Sequence, residues 1–441
     1  MALGDLPLRQ LAEEGLGQDD AYDLISSELA LDGSARLNLA TFVTTWMPSR
    51  AERLMRDTVA KNMIDKDEYP QTAEIESRCV QIIGNLWHVP GEDPVTGCST
   101  TGSSEAAMLG GLALKWRWRE RMRAAGRPAE RPNIVAGINV QVCWEKFCRY
   151  FDVEPRFVPM EGERYRLGAE EAAALCDENT IGVVAILGST FDGGYEPVAE
   201  IAAALDRLEQ ERGFDIPIHV DAASGGFVAP FLAPELIWDF RVSRVQSINA
   251  SGHKYGLVYP GVGWAIWRDA AALPQDLVFD VNYLGGQMPT FALNFSRPGS
   301  EVVAQYHMFT SLGHKGYREV QQRSADIARH LAAEIAQIGP YKLISDAGDL
   351  PVFAFALKPE VTRYTVYDVS DRLRERGWLV PAYAFPANRE DLAVLRIVVR
   401  AGMSADMGES LLKDLRSRTA GLESLDSPLP KQRPQISAFA H

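Results

Sequence analysis

Two stretches decide how this chain folds: Ile216-Pro217-Ile218-His219-Val220-Asp221-Ala222-Ala223-Ser224-Gly225-Gly226 and Val245-Gln246-Ser247-Ile248-Asn249-Ala250-Ser251-Gly252-His253-Lys254-Tyr255-Gly256. Each is an apolar β-type run that ends in one charged residue among small ones. The 33 residues from Asp221 to Lys254 are enough for a strand, a crossover and a second parallel strand, so both charges can emerge at one edge of one sheet. A further apolar run, Gly261 to Trp267, follows the lysine. Small residues around Lys254 let the backbone come close to a ligand. A lysine shielded there has its ammonium form disfavoured, which frees a neutral amine for attack on a carbonyl. The plain alternative for any single lysine is a solvated surface charge.

Paired with Asp221, Lys254 suits pyridoxal phosphate chemistry. That chemistry needs a lysine that forms a Schiff base with the cofactor aldehyde and a carboxylate that keeps the ring nitrogen protonated. The combination of His219 to Gly226 with Ser247 to Gly256 resembles the pyridoxal-phosphate-dependent glutamate decarboxylases, the bacterial type in particular. The resemblance runs from about Asp23 to the C-terminus and takes in Leu39-Ala40-Thr41-Phe42, Lys61-Asn62, Ile64-Asp65-Lys66, Gly102 to Ala106, Lys115 to Arg119 and Asn294 to Pro298.

Composition fits that class. The chain has 441 residues, 46% hydrophobic and 24% charged, with a formal charge of −14, values of an ordinary soluble globular protein with two or three domains. The acidic balance argues against general nucleic-acid binding and for a small-molecule or protein partner, or it merely aids solubility. Five scattered cysteines without a CxxC pair read as reduced thiols. With an acidic, interrupted N-terminus and no bilayer-length apolar run, the expected address is the cytoplasm, without a membrane span. Dispersed histidines predict no metal site.

The other candidate residues carry two readings each. Ser103 and Ser104 open a good helix former, Ser103 to Arg119. Hydroxyls and N–H groups there suit a dianionic phosphate, although a serine can be only an N-cap. The resemblance assigns both to the cofactor phosphate, with Ser251 and His253; His253 alternatively is structural or tunes the lysine. By resemblance Gln141 lies over one face of the pyridine ring, Ala223 packs on the other, and Thr190 stands near the cofactor. The family often has threonine where this chain has Ile186. Thr41 and Phe42, otherwise a turn or cap position, fall where the family binds the distal carboxylate of glutamate, and Asn62 and Asp65 line that pocket. Arg396 interrupts an apolar strand. A buried arginine there needs an anionic partner, which the family makes the substrate's α-carboxylate; the alternative is a surface salt bridge from an edge strand. Asn294 to Pro298 resembles a segment that reaches into the partner's site, which makes Ser296 a candidate phosphate contact across a dimer interface.

Coarse periodicity adds elements. Asn133 to Gly137 and Val140 to Val142 read as strand material. Thr180 to Gly188 is a strand buried on both faces. Val198, Ile201, Ala204, Leu205 and Leu208 have helical spacing that ends at Gly213. Beyond Gly316 a long helix leads into strand-like runs at Leu350 to Leu357 and Val394 to Val399, around a helix at Tyr367 to Arg376. The resemblance implies an α/β fold of the type I pyridoxal-phosphate class, with a mostly parallel central sheet and a smaller C-terminal α+β domain. The expected division is an arm at 1–36, a large cofactor domain at 37–324, a small domain at 325–422 and a tail at 423–441. The implied reaction is α-decarboxylation of L-glutamate to 4-aminobutyrate and carbon dioxide by a homodimer or dimer-based homohexamer. Alternatives are a decarboxylase of another amino acid on the same fold and a non-catalytic homologue, the latter disfavoured by Lys254 and Asp221. His441, here at the last position, resembles a family histidine close to the C-terminus that enters the active-site funnel at neutral pH and leaves it on protonation; the alternative is a disordered tail with an incidental histidine.

Overall fold

The computed structural model describes residues 10–11, 13–281 and 288–430. Its centre is a seven-stranded sheet of β1 (Gly97–Thr100), β2 (Asn133–Gly137), β3 (Glu154–Val158), β4 (Thr180–Ile186), β5 (Ile218–Asp221), β6 (Val245–Ser251) and β7 (Gly263–Trp267), in the order β1-β7-β6-β5-β4-β2-β3. The run from β3 to β6 is parallel, and β7 alone is inserted antiparallel to both neighbours. All seven residues of β4 are buried, as expected of a strand covered on both faces. Val183 and Ala185 pack with Val198, Ile201 and Leu205 of the helix Val198–Arg212. Val184 and Ile186 face Leu112, Trp118 and Trp144 of the helices Ser103–Ala124 and Val142–Tyr150. Each large apolar side chain buried in this way contributes roughly 1.5–3 kcal/mol. The helix that follows β4 ends at Gly213, whose φ of 74° takes the left-handed cap, as its spacing predicts.

Two expectations change. Val140 to Val142 is not a strand: Gln141 is the cap of the helix Val142–Tyr150, and its side chain accepts the Cys143 N–H at 2.7 Å. A local side-chain bond of this kind outweighs the β preference of the flanking valines. The long helix begins at Ser300, ahead of Gly316, and runs to Ala336 with a break at Gly313 (φ 56°).

A two-stranded ribbon, β8 (Phe279–Val281) and β9 (Met288–Thr290), precedes that helix. Beyond it β10 (Tyr341–Leu343), β11 (Val352–Leu357), β12 (Ala382–Ala384) and β13 (Ala393–Val398) form an antiparallel sheet ordered β10-β11-β13-β12. The helices Val366–Arg374 and Ala405–Glu423 and the end of Ser300–Ala336 supply its core. The first of them opens with a capping box of Thr365 and Asp368, which satisfies two otherwise orphaned N–H groups. After Glu423 the chain stays attached: Leu425 and Leu429 pack on this core, and the Leu429 N–H donates to the Arg363 carbonyl.

Residues 38–47 join the two halves as a strap. The Leu39 N–H donates to the Leu379 carbonyl, and the Val398 N–H to that of Leu39. At the other end the Thr44 N–H and hydroxyl donate to the carbonyls of His253 (2.7 Å) and Lys254 (2.6 Å). Arg400 donates to the carbonyls of Val43 and Asn38 and to the Thr45 hydroxyl. The helix Gln18–Leu29, by contrast, has no buried residue, and Tyr22, Ile25 and Leu29 are exposed.

Candidate active site

Parallel strands deliver their C-terminal ends to one edge, and a cavity of about 290 Å³ lies there. Ile186, Asp221 and Asn249 stand side by side in the register of β4, β5 and β6. Lys254 follows in the loop after β6, where its Nζ donates to Ser224 Oγ at 3.3 Å and lies 5.3 Å from the centre of the Phe42 ring. Burial pushes the Lys254 ammonium down from the ordinary lysine value, with the Asp221 charge opposing it. The amine therefore loses its proton more readily than a surface lysine does.

Asp221 is buried. Its Oδ2 accepts from Trp144 Nε1 (2.8 Å), and its Oδ1 accepts from Asn249 Nδ2 (3.0 Å) and the Ala223 N–H (3.1 Å). All three partners are N–H donors, which suits a carboxylate, an acceptor at both oxygens.

At the other end of the cavity the helix Ser103–Ala124 points its N-terminus inward, with Gly102 as cap and no side-chain cap bond. The N-cap alternative for Ser103 is thereby set aside. Ser251 donates to Ser103 Oγ at 2.6 Å, which leaves the Ser103 hydrogen for another acceptor. Ser104 also lines the cavity. His253 Nδ1 accepts the Gly261 N–H at 3.3 Å, so its proton sits on Nε2 as a further donor. Burial, helped by the Lys254 charge, pushes His253 down to about 4. β7 passes close behind this helix start: a Cβ on Gly263 would stand 2.3 Å from the Gly102 carbonyl carbon, so only glycine fits. Free N–H groups, the helix dipole and two hydroxyls make a site for a dianion.

Arg396 lies on β13, an inner strand, and is buried, which overturns the surface salt bridge from an edge strand. Its guanidinium donates to the carbonyls of Thr190 and Ala40, both at 2.6 Å, and its Nε has no partner. It lies 4.8 Å over the Phe42 ring and 5.4 Å over that of Tyr383. Phe42 thus touches both cations. Among the described residues no carboxylate forms an ion pair with Arg396.

Gln141, Thr190 and Ala223 also line the cavity, and so does Ile186, with no hydroxyl to offer. Thr41 neighbours Phe42, but its hydroxyl accepts the Val43 N–H. Ser251, Thr41, Phe42 and Arg396 lie beside the cavity without lining it, and Asn62, Asp65 and Ser296 do not line it either. Asn62 and Ser296 meet each other at 3.3 Å, and Asp65 caps the adjoining turn by its N–H to the Asn62 carbonyl. His441 lies outside the described residues. Sequence reasoning missed Trp144, Asn249, Ser224, Cys143 and Asn139. Asn249 had a signal, since aligning the two motif-bearing strands sets it beside Asp221. Behind the cavity wall Glu196 accepts N–H bonds from Asn139, Leu167 and Ile186, and burial pushes its carboxyl up to about 7.

These residues fit pyridoxal phosphate: a dianion cradle at one end, a buried carboxylate at the other and a lysine between them, with the small Ala223 leaving room for a flat ring. Residues 13–358 match the pyridoxal-dependent decarboxylase conserved domain. A glutamate decarboxylase of Aliivibrio fischeri is 54% identical over 413 residues, covering 93% of this chain and 89% of its own. Glutamate decarboxylase 5 of Arabidopsis thaliana is 48% identical over 424 residues, 96% of this chain and 86% of the plant protein. The solved glutamate decarboxylase of Lactobacillus brevis superposes with a TM-score of 0.93 at 48% identity, over 96% of both chains. A sphingosine-1-phosphate lyase of Burkholderia pseudomallei, at 21% identity and a TM-score of 0.78, shares the fold. The lysine and aspartate at one sheet edge and the domain match agree, and this chain belongs to the pyridoxal-dependent decarboxylase family, of the type I fold.

Proposed function

We propose that this protein removes the α-carboxyl group of L-glutamate, releasing carbon dioxide and 4-aminobutyrate, with pyridoxal 5'-phosphate as cofactor. The observation that carries the glutamate reading is the 54% identity to a glutamate decarboxylase over 93% of this chain, and Arg396, a buried guanidinium without a carboxylate partner among the described residues and resting on the same Phe42 ring as Lys254, suits the α-carboxylate. A buried cation of that kind is complementary to a substrate carboxylate. The cofactor, when bound, supplies an aldehyde for amines and a ring that takes up the electrons left behind by carbon dioxide.

The roles we assign follow from each residue's surroundings. Lys254 holds the cofactor through Nζ until the substrate amine replaces it, which its burial favours. Asp221 keeps a proton on the ring nitrogen, supported by its three donors. Ser103, Ser104, Ser251 and His253 hold the phosphate, Gln141 and Ala223 flank the ring, and Thr190 stands beside it. Arg396 orients the α-carboxylate, and Thr41 and Phe42 receive the distal end of the substrate. Asn62, Asp65 and Ser296 join a site only when a second subunit brings them there, which is the reason to propose a homodimer or a dimer-based homohexamer. Exposed Phe279 and Leu293 and the uncovered helix Gln18–Leu29 support it. The separate core of the second sheet supports the division near residue 324. Five free, buried cysteines support a reducing, cytoplasmic address; among the described residues no helix is long and apolar enough to cross a membrane.

The test is direct. Purified protein with cofactor is given a panel of acidic and aromatic amino acids while carbon dioxide and amines are measured. L-Glutamate should yield both products in equal amounts. Turnover of aromatic amino acids with none of glutamate would overturn the substrate assignment.

A further inference from the structure

Behind Asp221 a chain of buried polar groups runs in one direction. A carboxylate oxygen can only accept, so the NH₂ of Asn249 must face Asp221 Oδ1 and the amide oxygen must face away. That oxygen lies 2.7 Å from His219 Nε2, which must therefore carry a proton. His219 Nδ1 is then bare and accepts from Ser247 Oγ, also at 2.7 Å. His219 is 1% exposed, and burial disfavours its charged form. The ring is pinned on two sides. Trp144 meets it edge-on, with ring centres 5.1 Å apart, and a Cβ at Gly110 would stand 2.4 Å from its Cε1.

Counting acceptor sites on Asp221 gives the consequence. Oδ1 takes two N–H groups, from Asn249 and Ala223, which fills both its lone pairs. Oδ2 takes one, from Trp144, and keeps one free. We propose that His219 is a positioning residue for the decarboxylase reaction: as a neutral Nε2–H imidazole it fixes the Asn249 amide, which with Trp144 leaves Asp221 Oδ2 as the oxygen that serves the cofactor's ring nitrogen. Neither His219 nor Ser247 lines the cavity, so their influence passes through Asn249 and Trp144. The inference rests on Asp221 meeting the ring nitrogen, and the test separates the two.

Apo-protein is reconstituted with pyridoxal phosphate and, separately, with its 1-deaza analogue, which has carbon where the ring nitrogen was. The ratio of the two affinities reads the Asp221 interaction alone, because a general loss of structure weakens both ligands together. His219→Phe should lower the ratio about tenfold, the scale of one charge-assisted hydrogen bond. Ser247→Ala, which only unpins the tautomer, should lower it less, and Asp221→Asn should lower it at least as much as His219→Phe. An unchanged ratio in both His219→Phe and Ser247→Ala beside a fall in Asp221→Asn overturns the positioning role and leaves the Asp221 assignment standing. An unchanged ratio in Asp221→Asn overturns both. Independently of any variant's folding, ¹⁵N spectra of the histidine-labelled holoenzyme should show one buried imidazole protonated on Nε2 and bare on Nδ1 from pH 5 to 8. An imidazolium or an Nδ1–H tautomer at His219 refutes the proposal.

Discussion

Replacing Arg396 by methionine tests the substrate role proposed for this arginine. Two donors vanish, the 2.6 Å bonds to the carbonyls of Thr190 and Ala40, each worth roughly 1.5–3 kcal/mol because the donor is charged. The methionine stem keeps part of the packing on Phe42 and Tyr383, so the fold survives with a melting temperature lower by several degrees. The catalytic effect is larger. Removing one partner of a buried charge pair costs about 2–5 kcal/mol, which is roughly 30-fold to several thousandfold in kcat/KM. Arg396→Lys keeps the charge but loses the fork that reaches both carbonyls and a carboxylate at once, so it should fall between wild type and Arg396→Met. The assay is initial carbon dioxide release against glutamate concentration, at cofactor occupancy checked by absorbance. Activity within about threefold of wild type at full occupancy would refute the role given to this arginine.

Four further outcomes are expected. Borohydride reduction of the holoenzyme followed by peptide mapping should leave the pyridoxyl label on Lys254; a label on another lysine removes the assignment. Asp221→Asn should keep bound cofactor yet lose orders of magnitude in turnover, since an unprotonated ring is a poorer electron sink, and near-normal turnover counts against it. Lys254→Ala chains mixed with inactive Ser296 variants should regain part of the activity, and failure in verified mixed dimers means that each chain has a self-contained site. Glu196, raised from 4.5 to about 7 by burial, holds a proton in the folded state that the unfolded chain releases. Its contribution is fully present below pH 4.5 and is lost as pH rises to 7, about 3 kcal/mol across the window. Urea titrations should therefore show Glu196→Gln gaining on wild type between those pH values, whereas parallel curves contradict the buried acid.

What the sequence made legible follows how local each signal is. Asp221 and Lys254 could be set at one sheet edge because two apolar runs of strand length both end in a charge, and the helix stop at Gly213 needed only one glycine. Gln141 was misread because valines flank it and its capping bond is invisible to periodicity. Arg396 looked the same whether β13 was an edge or an inner strand, and only the pairing with both β11 and β12 decides that. Trp144 donates to a carboxylate 77 residues away, a relation that no spacing rule reaches. Asn62, Asp65 and Ser296 were named by resemblance, and within one chain they gather away from the lysine.

The strap of residues 38–47 has a consequence for how this protein is made. Ala40 and Val43 leave the ribosome long before the arginines that grip their carbonyls, which lie 356 and 357 positions later. Loops of that length close slowly, and a nascent chain folds from its N-terminal side as it is made. The seven-stranded sheet, whose strands all lie between Gly97 and Trp267, can pair while synthesis continues. The wall proposed to face the substrate closes only after β13 has emerged. A truncated product ending before Arg396 would therefore retain the lysine and the phosphate cradle without a substrate wall, leaving the aldehyde-bearing group open to whatever amine reaches it.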